Sequence, residues 1–247
     1  MNYNPFNLKN KTILITGASS GIGSVIAIEC SKMGANVIIT GRSEERLLNT
    51  FKLLQGDNNK YVLADLSLKE GLDFLVDQIP NLDGLVHCAA ILKKLPLKFI
   101  NEKAWLETIE TNLFAPALLS QRLVKKSKVN DGASIVFISS IAASVASFGN
   151  ISYMASKGAI NSLARGMALE LAAKKIRVNY IQPGLIRTNL TDKAMSQEDL
   201  DNYVQRFPLG RFGKPEEVAY SAIFLLSDAT KWITGTSITV DGGVTLR

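Results

Sequence analysis

Two residues in the stretch GNISYMASKGAI, Tyr153 and Lys157, have side chains that can move protons. At positions i and i+4 of a helix they share one face and lie about one turn apart. A phenol normally loses its proton near pH 10, so it is a poor base at neutral pH, but a fixed positive charge nearby lowers that pKa. The pair therefore predicts a phenol that exchanges a proton with a substrate oxygen, provided that other elements build a site around it.

Short apolar runs alternate with longer amphipathic stretches, and each run predicts one element of a layered fold. Strands are predicted at 12–16, 36–40, 60–64, 82–90, 134–140, 176–181 and 237–240. Helices are predicted at 21–34, 43–54, 68–78, 101–128, 152–174 and 215–227. Strands this apolar are covered on both faces, and the β-α-β alternation implies a parallel sheet. The sequence thus predicts an α/β fold, a doubly wound parallel sheet of about seven strands (Rossmann fold) with helices on both faces.

No shift in composition divides the chain, whose 247 residues suit one α/β domain, so we predict a single domain over 1–247. One segment stands apart: 189–212 is polar and is interrupted by Pro208 and Gly210. We predict that this segment forms a substrate lid within the domain.

Composition narrows the classes of function. The net charge is +6, and the cations are scattered in short clusters rather than in a basic stripe interleaved with aromatic residues, which argues against nucleic-acid binding. The clusters are Lys93–Lys94, Lys125–Lys126–Lys128 and Lys174–Lys175. They form either solvated helix ends or a surface for an anionic substrate or carrier. The N-terminal segment lacks the apolar core of a signal peptide, and no run approaches a membrane span, so we predict a soluble cytoplasmic protein.

Two cysteines, Cys30 and Cys88, are too few for a disulfide framework, and their apolar surroundings predict buried free thiols. Without a paired Cys/His cluster the sequence predicts no zinc site.

A glycine-rich turn, TGASSGIG, follows the first predicted strand and opens the first helix. Its glycines Gly17, Gly21 and Gly23 allow a tight turn and the close approach of a pyrophosphate, which then rests on the helix N-terminus. The strand–turn–helix context is the one in which such a site occurs, so we predict a dinucleotide.

The spacing G-x-x-x-G-x-G, with YMASK downstream, resembles the short-chain dehydrogenase/reductase family in its branch of about 250 residues. The resemblance covers essentially the whole chain, through LVHCAA, TNLFAP, SIVFISS, RVNYIQPGLIRT, LGRFGKPEEVA and ITGTSITVDGG in family order. The last two segments are similar to the 3-oxoacyl-carrier-protein reductase type.

The resemblance implies four catalytic residues. Tyr153 would be the general acid in reduction and the base in oxidation, and Lys157 would lower the phenol's pKa and hold the nicotinamide ribose. Ser140 would donate a hydrogen bond to the substrate oxygen, and Asn112 would position a water beside Lys157.

The resemblance also implies a set of cofactor-binding residues around the nicotinamide dinucleotide. These are Gly17, Ser19, Ser20, Gly21, Ile22, Gly23, Arg42, Asp65, Leu66, Cys88, Ala89, Tyr153, Lys157, Pro183, Gly184, Ile186 and Thr188. Gly41 stands where the family would place an acid, and Arg42 follows, so we predict NADPH over NADH, with NAD(H) possible. Two alternatives stay open: Arg42 as a surface cation paired with Glu44 or Glu45, and Asp65 as a cap of the next segment.

One segment departs from the family. The fourth strand usually ends Asn-Asn-Ala-Gly, whereas here it ends His87-Cys88-Ala89-Ala90. Because the family chemistry needs no imidazole, we predict that His87 is a packed, hydrogen-bonded strand residue.

These features predict an NADP(H)-dependent reductase of a ketone or dehydrogenase of a secondary alcohol. The substrate would be a small molecule, for which a 3-oxoacyl thioester on a carrier protein is one candidate, and sugars, steroids and small ketones are the alternatives. A non-catalytic NADP(H)-binding redox sensor and a nucleotide-sugar epimerase or dehydratase are competing classes. Family members usually form tetramers through long helices and C-terminal strands, so we predict a homotetramer, with a dimer as the alternative.

Overall fold

A computed structural model of the protein describes residues 4–188 and 202–246, which contain one seven-stranded sheet in the order β3-β2-β1-β4-β5-β6-β7. All neighbouring strands are parallel. The strands are β1 Thr12–Thr16, β2 Asn36–Gly41, β3 Lys60–Leu63, β4 Leu82–His87, β5 Val129–Ile138, β6 Arg177–Pro183 and β7 Ser237–Val240. The predicted doubly wound parallel sheet is confirmed.

Helices cover both faces of this sheet. They are α1 Gly21–Lys32, α2 Glu44–Phe51, α3 Lys69–Gln78, α4 Glu102–Ile109, α5 Ala115–Lys125, α6 Ile151–Glu170 and α7 Pro215–Leu226. Side chains alternate between the two faces of a strand, so Ile13 and Ile15 of β1 pack towards α1 and α7, whereas Leu14 packs into the opposite core. Both faces of the central strands are therefore buried, as their continuous apolar sequences require.

The helix predicted over 101–128 is interrupted, and this changes the geometry near the site. Helix α4 ends at Ile109, a π-helical turn follows over Glu110–Phe114, and α5 begins at Ala115. The backbone stays helical across both junctions, so the chain passes through a π-bulge rather than a break, and Pro116 in the first turn of α5 has no N–H to donate to that turn. The π turn holds Asn112, which is buried.

Strand β5 begins at Val129, five residues before the predicted start at 134, because Val129 pairs with Leu82 ahead of an irregularity in the ladder. Polar residues in this first stretch, such as Asn130, obscured the strand pattern in the sequence. Asn130 donates a hydrogen bond to the carboxylate of Asp83 on the neighbouring strand.

The predicted lid at 189–212 is described only from residue 202 onwards, and 189–201 lie outside the described residues. Phe207 and Phe212 are buried against Leu185, Tyr203 and Val244, so this part of the segment has a small core of its own. The lid function and the single-domain assignment stay predictions. None of the helices within the described ranges is long and apolar enough to cross a membrane.

Candidate active site

A cleft of about 1470 Å³ opens at the carboxyl edge of the sheet, along the ends of the strands. The chain winds outwards from β1 to β3 and returns with β4 on the other side of β1, and ligands of doubly wound sheets bind at such a reversal. Every residue predicted to bind the cofactor lines this cleft, as do Ser140, Tyr153 and Lys157 among the predicted catalytic residues. Residues from seven separate segments of the chain thus meet in one place.

Tyr153 and Lys157 project from the first two turns of α6, where the cleft borders the end of β5. The Nζ of Lys157 lies 5.5 Å from the centre of the Tyr153 ring and donates a hydrogen bond to the carbonyl oxygen of Ile138 at 2.7 Å. Ser140 follows β5 directly, and its Oγ accepts a hydrogen bond from the backbone N–H of Ala142 at 3.1 Å. The phenol, the ammonium and the hydroxyl are held by a strand end and a helix, both rigid elements.

The electrostatics of the phenol differ from the sequence-based expectation. Burial raises the pKa of Tyr153 to about 12, although its interaction with the Ser140 hydroxyl acts in the opposite direction. Lys157 is itself 3% exposed, and burial lowers its pKa to about 8. The net shift is therefore opposite to the one expected beside an ammonium, because burying the phenolate costs free energy, and the effect of Lys157 on the phenol stays a prediction. At neutral pH Tyr153 keeps its proton and can act as an acid.

The glycine turn has the close backbone contacts that a phosphate cradle needs. Gly17 and Gly21 have φ angles of +66° and +59°, which favour glycine. A Cβ on Gly17 would lie 2.6 Å from the Cα of Ala89, and one on Gly23 would lie 2.4 Å from the carbonyl oxygen of Gly17. The N-terminus of α1 carries no acidic residue in its first turn, and Ser20 makes no side-chain capping bond there. The backbone N–H groups in the first turn of α1 are therefore not capped by a side chain, and they fit an anionic pyrophosphate.

Comparisons with known proteins agree with this geometry. A family model described as Enoyl-(Acyl carrier protein) reductase matches residues 17–245. The chain is 37% identical to a 3-oxoacyl-[acyl-carrier-protein] reductase of Rickettsia felis, over 96% of this chain and 98% of that protein. A solved short-chain type dehydrogenase/reductase from Mycobacterium ulcerans superposes with a TM-score of 0.87 at 35% identity, over 98% of this chain and 92% of that one. The chain belongs to the short-chain dehydrogenase/reductase family. It is an oxidoreductase that uses a nicotinamide cofactor.

Substrate names differ among the relatives of this dehydrogenase/reductase. The chain is also 33% identical to an NAD-dependent glycerol dehydrogenase of Listeria innocua, over 98% of this chain and 96% of that protein. The family therefore gives the reaction type, while the cofactor preference and the substrate must be argued from this chain's own residues.

Two arginines border the cleft where β2 ends and α2 begins. Arg42 and Arg46 both line it and both are exposed. Within the described ranges neither guanidinium forms an ion pair, so Arg42 does not pair with Glu44 or Glu45. Sequence analysis missed Arg46, which a four-residue spacing across the start of α2 could have revealed. Two guanidinium groups with free donors fit a phosphate at this end of the cleft.

Gly41, at the carboxyl end of β2, lies close to the glycine turn. A Cβ at this position would approach the Cβ of Ser19 to 3.2 Å. An acidic side chain here would therefore require Ser19 to move. With glycine at position 41, the cleft has no carboxylate at this strand end, and the two arginines line it there.

Asp65 follows β3 and lines the cleft, and it also shapes the next turn. Its Oδ1 accepts hydrogen bonds from the backbone N–H and the hydroxyl of Ser67, at 3.0 and 2.7 Å. Asp65 therefore stabilises the turn before α3 without capping that helix, whose N-cap residue is Leu68, and one carboxylate oxygen is already engaged. A contact with the adenine of the cofactor stays a prediction for this residue.

Asn112 is the one predicted catalytic residue that does not line the cleft. It is 2% exposed, and its Oδ1 accepts from the Ile91 N–H at 2.8 Å. Its Nδ2 donates to the Ile91 carbonyl at 2.9 Å and to the Ser156 hydroxyl at 3.1 Å. These bonds tie the loop after β4 to α6. Asn112 would therefore hold a water through its remaining lone pair or its main-chain carbonyl, and this role stays a prediction.

The departure His87-Cys88-Ala89-Ala90 leaves the backbone of the cleft in place. His87 is buried, its ring stacks on Phe137 with centroids 4.7 Å apart, and its Nε2 lies 2.8 Å from the Ser120 hydroxyl. Burial lowers its pKa to about 3, so the ring is neutral. The prediction of a packed, hydrogen-bonded histidine is confirmed.

The two cysteines differ in their surroundings. Cys30 is fully buried on α1, as predicted, whereas Cys88 is only partly buried because it lines the cleft. Its backbone N–H donates to the Thr16 hydroxyl at 3.1 Å, which ties the end of β4 to that of β1. Burial raises the pKa of the Cys88 thiol to about 12, so it stays neutral. Within the described residues no group of His, Cys, Asp and Glu is placed to hold a metal ion.

Proposed function

We propose that this enzyme uses NADPH to reduce the ketone of a 3-oxoacyl thioester to a secondary alcohol. The observation that carries the proposal is the protonated Tyr153 beside Ser140, at the end of a cleft whose other end has a phosphate cradle. A phenol with a pKa of about 12 is suited to give a proton rather than to take one. At neutral pH the site therefore holds the proton that the reduction of a ketone requires.

The residues divide the work around the substrate carbonyl. A bound NADPH supplies the hydride that adds to the carbonyl carbon. Tyr153 gives its hydroxyl proton to the carbonyl oxygen, and Ser140 donates a hydrogen bond to the same oxygen as negative charge develops there. Lys157 keeps an ammonium 5.5 Å from the Tyr153 ring, where it attracts the phenolate that forms. The resemblance assigns to Lys157 the further role of holding the nicotinamide ribose.

The walls near Tyr153 support an acyl chain as substrate. Ile91, Leu92, Ile141, Val145 and Phe148 line this part of the cleft. Apolar walls stabilise an alkyl chain by removing it from water, whereas the hydroxyl groups of a polyol or sugar would find partners only at the fewer polar residues of the lining, such as Ser147 and Asn150. The relative from Rickettsia felis is named for 3-oxoacyl groups, which agrees with this preference.

The test compares substrates of different polarity. With NADPH, the enzyme is expected to reduce the N-acetylcysteamine thioester of 3-oxobutanoic acid at least about tenfold more efficiently than dihydroxyacetone or a keto sugar, measured by nicotinamide absorbance. Tyr153→Phe removes the proton donor and is expected to lower kcat by a factor on the order of 10³ while NADPH binding is retained. Faster turnover of the polyhydroxy ketones would contradict the acyl assignment. Full activity of Tyr153→Phe would contradict the mechanism.

The proposed preference for NADPH rests on the two arginines at the end of the cleft where α2 begins. A 2′-phosphate placed there would meet Arg42 and Arg46, and both carry permanent charges. Arg42→Ala and Arg46→Ala are each expected to raise the KM for NADPH about tenfold and to leave the KM for NADH within twofold. Lys52→Ala, at the other end of α2, is the control. An unchanged ratio of NADPH to NADH efficiency in both arginine variants would overturn the preference.

A further inference from the structure

Two loops at the mouth of the cleft contribute side chains to the walls for the acyl chain and also carry an outer surface that the reaction itself does not use. We call residues 91–100 and 144–149 the mouth loops. The Leu95 N–H donates to the Gly149 carbonyl oxygen at 2.8 Å, so the two loops are held side by side. Leu92, Lys94 and Phe148 line the cleft and are also exposed, which makes the outer surface continuous with the path to Tyr153.

The mouth loops expose an unusual amount of apolar surface. Phe148 is 82% exposed, Leu97 69% and Phe99 65%. Single exposed apolar residues are common, but several together beside a cleft mark a place where another molecule binds.

The charge of the mouth loops is entirely positive. They contain Lys93, Lys94 and Lys98 and no carboxylate. Glu107 of α4 pairs with Lys93, which leaves the other two lysines without an ion pair in the part of the chain that the structure describes. Across the cleft, Arg206 adds a guanidinium that stacks over Tyr203. Such a surface attracts an acidic partner with an apolar patch.

The other two basic clusters that the sequence suggests for a carrier, Lys125–Lys126–Lys128 and Lys174–Lys175, lie outside the mouth loops. Lys126 pairs with Asp77, and Lys128 donates to the Ile79 carbonyl just before β4 begins. Lys174 lies three residues before β6. Within one chain these lysines are therefore at the amino edge of the sheet, whereas the cleft opens at the carboxyl edge.

We infer that the mouth loops dock an acidic carrier protein that delivers the 3-oxoacyl group on a flexible tether. The inference rests on the proposed function for its substrate class. A tethered substrate must enter through the mouth of the cleft, and the carrier must therefore be held beside it. Lysines would steer the carrier to the mouth, and Leu97, Phe99 and Phe148 would contact its apolar surface.

The test uses the full-length enzyme and a purified acyl carrier protein that bears a 3-oxobutanoyl group. The variant Lys98→Glu/Phe99→Ser changes two exposed side chains that do not line the cleft. It is expected to weaken binding of a dye-labelled carrier, followed by fluorescence anisotropy, at least about tenfold, and to raise the KM for the carrier-bound substrate similarly. The kcat/KM for the N-acetylcysteamine thioester should stay within twofold of the unchanged enzyme.

The matched control is Lys52→Glu/Leu53→Ser, which makes the same kind of change at another exposed lysine and apolar residue and should leave carrier binding unchanged. The inference is overturned if carrier binding survives the mouth-loop variant, or if Lys125→Glu/Lys174→Glu weakens it instead. It is also overturned if the mouth-loop variant changes the enzyme's molar mass in light scattering, because the loops would then contact a second copy. Carrier binding that depends on the mouth loops without reduction of any thioester would support the docking surface and contradict the proposed reaction.

Discussion

Lys157 carries its charge at the end of a buried side chain, and the surrounding residues determine the pH at which that charge is lost. Its ammonium is satisfied by one carbonyl oxygen, that of Ile138, and no carboxylate lies against it among the described contacts. Burial therefore dominates, and its pKa falls from 10.5 to about 8. The proton on Lys157 is consequently the one in the site that is lost most easily near physiological pH.

This loss predicts the pH dependence of the reduction. As pH rises through about 8, Lys157 becomes neutral and no longer stabilises the phenolate that Tyr153 leaves after giving its proton, so kcat/KM is expected to fall about tenfold per pH unit above that point. The measurement is kcat/KM for thioester reduction between pH 6.5 and 9.5. Lys157→Arg keeps a permanent charge and should remove the decline, even if its kcat is lower. A flat profile for the unchanged enzyme over this range would contradict the role of Lys157.

The residue types and their order in the sequence were sufficient to predict that Ser140, Tyr153 and Lys157 lie together. A strand end fixes the position of Ser140, and one turn of a helix fixes the spacing of the other two. The sequence could not show how deeply the phenol is buried, and burial reverses the predicted direction of its pKa shift. It also could not show that Asn112 is engaged by Ile91 and Ser156, since that depends on where a loop folds back.

At the scale of elements, the phosphate cradle depends on the close packing of α1 against the glycine turn. Gly23 lies so close to Gly17 that an added Cβ would be 2.4 Å from the Gly17 carbonyl oxygen. Because that oxygen belongs to the backbone, the helix and the turn must separate to make room. The period of the apolar residues predicted both elements but not this distance.

Gly23→Ala is therefore expected to raise the Kd for NADPH at least about tenfold and to cost about 1–3 kcal/mol of stability. Gly84→Ala is the comparison, because its Cβ would meet only the side chains of Leu226 and Ile13, at 2.9 and 3.1 Å, away from the cleft. It should lose stability without a change in the Kd. Nucleotide titrations and urea unfolding measure the two effects. Equal Kd values for the two variants would mean that NADPH binding does not depend on the close packing of α1 against the glycine turn.

At the scale of the whole molecule, one buried imidazole sets part of the acid stability. His87 is the only histidine of the chain, and its folded pKa of about 3 lies below its ordinary value of 6.5. Between those values the unfolded chain binds a proton that the folded chain does not, so stability present above pH 6.5 is lost as pH falls. From pH 7 to 5.5 the loss should be about 1 kcal/mol, measured by urea unfolding. His87→Asn should abolish this part of the dependence, and an unchanged slope in that variant would refute the assignment.

The evidence for an oligomer in a single chain is the apolar surface that it exposes. Trp232 is 99% exposed and Leu169 81% exposed, and a Cβ on Gly235 would lie 3.6 Å from the Cβ of Ala168, which brings the segment after α7 beside the end of α6. Apolar side chains this exposed are expected to be covered by another subunit, in agreement with the predicted homotetramer.

We therefore expect the protein to have about four times the mass of one chain in light scattering at micromolar concentration. Leu169→Asp/Trp232→Asp should reduce that mass to about one half, because two charges would be buried at the interface between dimers. Leu53→Asp, at an exposed apolar residue near the end of α2, should leave the mass unchanged. If the unchanged protein were a monomer, both the tetramer and the dimer would be excluded. A tetramer that resists the double substitution would place its interfaces on other faces.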